Sequence, residues 1–221
     1  MVLVFGIIVV ASEACGGAPA APGEGASREA TGAASAVGVS AAGVHVDIQP
    51  PTTTPEVPAA TPVPRVPVES LQLPRFGVDS TIEQLGYVTG TQMDAPHNPY
   101  HTGWYPMWDW PGSPGNAVFA AHVNYFPGIL GPFYNLDAMG PGDEVDLTLA
   151  DGERLQYSVI SNTLYSVDTI DMNHLITAPE RPGNEEWITL VTCGGTFVPF
   201  PGQHGRGEYL DRDVVVAKRI T

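Results

Sequence analysis

Cys193 closes an apolar run, Trp187-Ile188-Thr189-Leu190-Val191-Thr192, and is followed by Gly194-Gly195. A thiol at a strand end, where the chain then turns away, is accessible to a substrate. Ionised by a nearby imidazolium or guanidinium, it can attack a carbonyl carbon. His122 closes a second apolar run, Asn116 to Ala121, so it belongs at the end of a core strand, placed to act as a general acid for a leaving amine. Three arginines follow Cys193: Arg206, Arg212 and Arg219. Arg212 directly precedes the apolar stretch Asp213 to Ile220, and a guanidinium there could donate paired hydrogen bonds to a substrate carbonyl or an oxyanion. His97, His101, His174 and His204 fall in loop-like sequence. No His-x-x-x-His or Cys-x-x-Cys spacing supports a metal centre, and neither metal nor cofactor is expected.

The elements that must position these residues read as strands. Residues 116–122 and 187–193 are short apolar runs suited to strands buried on both faces. Residues 144–150 alternate, with Val145, Leu147 and Leu149 on one face, and Asp151-Gly152 then signals a hairpin into 154–167. Residues 213–220 form a last strand. Pro74 interrupts Val68 to Val78 as at a strand-to-strand link. Residues 80–88 are expected to hold a helical turn, with Ser80 or Thr81 as N-cap, and 168–175 a short helix. Many short strands, few helices and no βαβ pattern indicate an all-β barrel or sandwich and disfavour a parallel α/β fold.

Residues 66–221 are read as the folded domain. Residues 1–15 begin with a ten-residue apolar run, shorter than the roughly 20 residues of a membrane span and suited to a signal peptide or a short membrane or lipid anchor at Cys15. Residues 16–65 are rich in Ala, Gly, Pro and Thr, and are expected to form a disordered stalk, semi-extended in its Pro-rich half; Val44–Gln49 is at most one short strand within it. The two cysteines, Cys15 and Cys193, could form one disulfide, but their positions, one after a leader and one ending a core strand, argue against it. Lys and Arg total 9 against 24 Asp and Glu, a formal charge of −15. So acidic a chain is poorly suited to phosphate backbones or anionic membrane surfaces.

Taken in order, four segments resemble the sortase family, in its exported class E- or F-like or unassigned members. Thr189-Leu190-Val191-Thr192-Cys193 is similar to the family's T-L-x-T-C strand, and Gly115-Asn116-Ala117-Val118-Phe119-Ala120-Ala121-His122 to its G-N-x-V-x-A-G-H, with Ala121 in place of a glycine. Gly103-Trp104-Tyr105 with Pro111-Gly112 resembles the approach to that strand, and Leu73 to Asp79 the opening strand pair.

The resemblance implies an eight-stranded sortase-type β-barrel with one or two short helices, carrying the catalytic set Cys193, His122 and Arg212 on one rim, with Arg206 as the alternative arginine. It implies a cysteine transpeptidase that cleaves an LPXTG-type sorting peptide at the C-terminus of a surface protein. A Cys193 thioacyl intermediate would then pass to an amine acceptor, a cell-wall precursor or a pilin lysine. Ile170, Leu175, Ile176 and Ala178 are expected to line the peptide groove. Thr192 and Ala121 would contact or orient the substrate or His122. The chain is expected to act outside the cytoplasm as a monomer. Two other readings share these residues: an endopeptidase with water as acceptor, and a non-catalytic peptide-binding domain on a stalk.

Overall fold

The computed structural model describes residues 65–89, 92–202 and 205–220. The expected leader, the stalk and Val44–Gln49 lie outside them.

Among the described residues twelve strands form in chain order: β1 Val68–Leu73, β2 Val78–Gln84, β3 Tyr87–Thr89, β4 Gln92–Met93, β5 Thr102–Trp104, β6 Gly115–Ala121, β7 Asn124–Tyr125, β8 Ile129–Leu130, β9 Glu144–Leu149, β10 Arg154–Ser166, β11 Glu186–Pro199 and β12 Gly207–Arg219. One α-helix, α1, spans Met172–Thr177, and single 3₁₀ turns lie at Pro74–Phe76 and Leu136–Ala138. Eight strands close a barrel in the order β1-β2-β5-β6-β11-β12-β10-β9. Closure leaves no unpaired edge around the ring. Two short hairpins, β3–β4 and β7–β8, stand outside it.

Residues 80–88 hold no helical turn. Val78–Gln84 is a strand paired antiparallel with β1, Leu73 opposite Val78 and Ser70 opposite Thr81. The Ser80 hydroxyl, read from sequence as a cap, donates to Tyr100 O at 3.0 Å. Sheet pairing supplies every N–H of such a segment with a partner, which a single helical turn cannot. Parallel pairing also occurs. β2 runs parallel to β5 and β6 parallel to β11, with Asn116 opposite Trp187 and Ala120 opposite Val191. Long connections make these pairs, and the parallel α/β fold that the sequence disfavoured does not form. The expected helix forms slightly later than 168–175: the Asp171 carboxylate accepts from His174 N at 3.0 Å and caps it.

Strand alternation sorts the apolar side chains into two cores. One fills the barrel: Leu71 and Leu73 of β1, Phe119 of β6, Leu147 of β9, Leu155 and Tyr157 of β10, Ile188 and Leu190 of β11 and Val215 of β12. Each such side chain contributes roughly 1.5–3 kcal/mol by leaving water. The second lies on the outer face of β6 and comprises Leu85, Met93, Tyr105, Val118 and Ala120, covered by Trp108, Met172 and Ile176. A central strand buried on both faces reads as a continuous apolar run, which is why residues 115–121 are buried throughout.

Candidate active site

The outer core positions the site. Val118, Ala120 and then His122 follow one another on the outer side of β6. Thr189, Val191 and Cys193 do the same on β11, the strand beside it. Cys193 lies directly opposite Arg212 in the antiparallel β11–β12 ladder. His122 directly follows β6 and Cys193 lies on β11, the parallel strand beside it, so both fall on the barrel's outer face, where His122 and Arg212 line an open groove. β11 also continues past Cys193 to Pro199 through a bulge between Gly194 and Phe197, and β12 begins at Gly207. Arg212 accordingly sits within its strand instead of before it.

The groove encloses about 560 Å³ including its open mouth. Ala120, Ala121 and Val191 form its floor, Met93 to Pro96 and Tyr105 one wall, Val167, Ile170 and Met172 the other, and His122 and Arg212 stand at its head. An apolar trough with a few polar groups at one end suits an extended peptide whose scissile bond must meet those groups.

His122 Nε2 lies 2.9 Å from the Pro96 carbonyl oxygen. A carbonyl only accepts, so Nε2 carries the proton, and Nδ1 has no hydrogen-bond partner among the described residues. The ring also packs edge-on against Tyr125, with centroids 5.2 Å apart. Arg212 Nη1 donates to Tyr209 O at 3.0 Å and Asp211 O at 2.8 Å. This fixes the guanidinium stem while Nε and Nη2 make no hydrogen bond among the described residues. Burial lowers the Arg212 pKa, opposed by the Asp211 and Glu208 carboxylates. Arg206 lies at the far end of the same hairpin, just before Gly207, which pairs with Pro199. Cys193 itself is half-buried. Cys15, the partner in the disulfide that the sequence argues against, lies outside the described residues.

The remaining sequence candidates divide. Ile170 lines the groove. Thr192 is fully buried on the barrel's inner side, where its hydroxyl donates to Ala121 O at 2.7 Å. It joins β11 to β6 behind the site and does not face substrate. The Ala121 methyl likewise packs into the barrel core. Leu175 and Ile176 act through their backbone: the fully buried Asn116 donates from Nδ2 to Leu175 O at 2.8 Å and Ile176 O at 3.0 Å. Thr189 Oγ1 in turn donates to Asn116 Oδ1 at 2.9 Å. Ala178 is buried at the end of α1. Asn116 thus ties α1, which contributes Met172 to one groove wall, to β6 and β11. Replacing it with alanine strands buried carbonyls at a cost of about 1–3 kcal/mol. Asn116→Ala is expected to lower the thermal midpoint and raise KM for peptide more than it lowers kcat, read by calorimetry and steady-state kinetics. Sequence reasoning missed Met93, Pro96, Tyr105, Val167 and Met172 as groove residues. Only Tyr105, within the Gly103-Trp104-Tyr105 segment, carried a signal.

Behind the site, two carboxylates pack on the glycines after Cys193. A Cβ on Gly194 would meet Asp213 Oδ2 at 2.0 Å, and one on Gly195, where φ is +67°, would meet Asp211 Oδ2 at 2.1 Å. Only glycine fits both places. Burial, with the nearby Asp137 and Asp211 carboxylates, pushes the Asp213 carboxyl up from 3.8 to about 6. The folded state therefore binds this proton more tightly than the unfolded chain, and stability falls as pH rises from about 4 to about 6. Asp213→Asn is expected to raise the thermal midpoint by a few degrees at neutral pH, with the gain fading below about pH 4, in melts followed across pH.

Three acidic side chains away from the groove are held in ion pairs. Asp143 pairs with Arg75, Glu185 with Lys218 and Glu186 with Arg219 at 3.1 Å. No cluster of three or more potential metal ligands occurs among the described residues.

The strands build a closed eight-stranded barrel with His122 and Arg212 lining an outer groove and Cys193 opposite that arginine in the β11–β12 ladder. The sortase domain model matches residues 71–220, and the chain belongs to the sortase family, whose members are cysteine transpeptidases acting on sorting-signal proteins and amine acceptors. Among solved structures it is similar to sortase A from Corynebacterium diphtheriae, with 22% identity, a TM-score of 0.49, and coverage of 72% of this chain and 62% of that one. It is also similar to sortase C2 of Group B Streptococcus pilus island 1, with 19% identity, a TM-score of 0.46 and coverage of 69% and 73%. A third is sortase C-1 from Actinomyces oris, with 18% identity, a TM-score of 0.47 and coverage of 69% and 73%. No curated protein matches the sequence.

Proposed function

We propose that the reduced enzyme cleaves an LPXTG-type sorting signal of a surface protein and transfers it to an amine acceptor, with Cys193, His122 and Arg212 as its catalytic residues. The placement of Cys193 opposite Arg212, with His122 ending the adjacent strand, carries this reading. The peptide lies along the Val191–Ala120 floor, with its apolar residues against Ile170 and Met172. The Cys193 thiolate adds to the threonine carbonyl carbon. The negative charge that develops on its oxygen is met by the Nε and Nη2 donors of Arg212, in a site where fixed donors need not reorganise. His122 Nδ1 takes the thiol proton as the thiolate forms, and when collapse of the adduct breaks the C–N bond the imidazolium returns that proton to the departing amine. The remaining thioester is resolved by an amine from a cell-wall precursor or a pilin lysine.

Sortases act outside the cytoplasm at the membrane. No helix of the described residues is long and apolar enough to cross a bilayer. We assign residues 66–221 to the catalytic domain, 16–65 to a stalk and 1–15 to a leader or anchor.

The test is mass spectrometry of the full chain, kept in a thiol reductant and incubated with LPXTG-type peptides, with and without an added amine. An acyl adduct on Cys193 that passes to the amine is the expected result. Hydrolysis alone, whatever the amine concentration, would replace transfer with endopeptidase action. Peptide binding without any adduct would overturn the enzymatic reading.

A further inference from the structure

We propose that Glu83 is a positioning residue for His122, acting through the segment 94–101 and the Pro96 carbonyl. Glu83 lies on β2, in a different part of the barrel wall from the strands that carry the groove head. Its two carboxylate oxygens are committed to one loop. Oε2 accepts from His97 N at 2.9 Å and faces His97 Nδ1 at 3.3 Å. Oε1 accepts from Asn98 N at 2.9 Å and faces His101 Nδ1 at 2.9 Å. His97 is the residue after Pro96, and the Pro96 carbonyl, which belongs to the same peptide group as His97 N, is the acceptor for His122 Nε2 at 2.9 Å. One planar peptide unit therefore donates its N–H to Glu83 and accepts from the catalytic histidine. Turning that plane breaks both bonds together.

Several further observations support a fixed plane. Burial raises the Glu83 pKa, but the N–H donors of His97 and Asn98 and the two imidazoles outweigh it and hold the carboxyl below its usual range, so it is ionised throughout the neutral region. Charge-assisted hydrogen bonds are stronger than neutral ones. The loop is pinned at its ends as well: Tyr105 Oη donates to Asp94 O at 2.6 Å and Ser80 Oγ to Tyr100 O at 3.0 Å. Neither of those bonds controls the tilt of the 96–97 peptide, and Glu83 does.

The proposal rests on the reading of His122 as the proton donor, and its test separates the two. Glu83→Ala and Glu83→Gln are made in the full chain, in reductant. Each is measured for kcat and KM on an LPXTG-type peptide, for thermal midpoint, and for the His122 ring N–H signal by NMR, assigned by its absence in His122→Gln. In the wild type the Nε2 proton, held on Pro96 O, is expected to exchange slowly with water. Glu83→Ala should speed that exchange and lower kcat by about 10-fold or more, with KM little changed, since a small misplacement of a reacting group carries losses of this size. Glu83→Gln keeps one acceptor oxygen but presents an amide where His97 N–H needs an acceptor, and should fall between. A lower thermal midpoint with kcat and the ring signal unchanged in both variants would overturn the proposal and leave Glu83 a brace of the loop. Should the wild type form no acyl adduct, the ring signal still reports whether Glu83 holds His122.

Discussion

Cys193→Ala is expected to abolish the acyl adduct and to lower peptide turnover by at least about 10⁴-fold, the loss usual for removal of a nucleophile. The substitution is structurally mild. Cys193 is half-buried, at a place in β11 where the backbone pairs with Arg212, and alanine keeps that ladder and the Cβ. The thermal midpoint in reductant should therefore shift little, and peptide should still bind along the Val191–Ala120 floor. His122→Ala should cost a comparable factor, because without a proton for the leaving amine the adduct returns to substrate. The two losses should not add. When residues act as a unit, removing the second costs little once the first is gone. Turnover of the single and double variants, with binding measured separately by calorimetry, checks this. Two independent, additive losses would mean that the residues do not serve one step.

Arg212→Ala is expected to reduce kcat by about 10²–10³-fold, the range seen when a donor to a developing oxyanion is removed. Arg206→Ala should leave kcat unchanged. The register decides between them. Arg212 faces Cys193 across one ladder step, whereas Arg206 precedes Gly207 at the other end of the hairpin. Arg212→Lys should recover only part of the loss, since an ammonium keeps the charge but not the fork of donors. Because Arg212 spends Nη1 on Tyr209 O and Asp211 O, lysine also lacks the second arm needed both to hold position and to reach substrate. The same peptide assay on the three variants is sufficient. Equal loss in Arg206→Ala and Arg212→Ala would place the oxyanion donor elsewhere.

Much of the site was written in local sequence. Apolar runs ending in His122 and Cys193 mark buried strands with a reactive residue at the end of each, and the alternation of Val145, Leu147 and Leu149 marks a strand with one face inward. The second face of Gly115–Ala121 was also legible in kind, because Ala117 to Ala121 is apolar on both sides of the strand. Residues 80–88 were misread because a Ser-Thr start with a glutamate three positions on satisfies the helix-capping pattern, while the partner strand that makes it β2 is specified elsewhere. Thr192 was placed beside substrate because it adjoins Cys193 in the chain, yet alternation turns it to the opposite side.

What the sequence determined by itself is the family resemblance and the strongest strands: which residues are candidates for chemistry, and which segments alternate or are apolar throughout. Tertiary structure alone decided that β6 and β11 run side by side in parallel, which puts His122 and Cys193 on one outer face and sets Arg212 opposite the thiol. It also supplied the far groove wall from α1 and the Pro96 carbonyl that orients His122, and linked that carbonyl to Glu83. These are pairings between segments distant in sequence, fixed by closure of the barrel and burial of the outer core, and no local pattern of residues encodes the register that makes them.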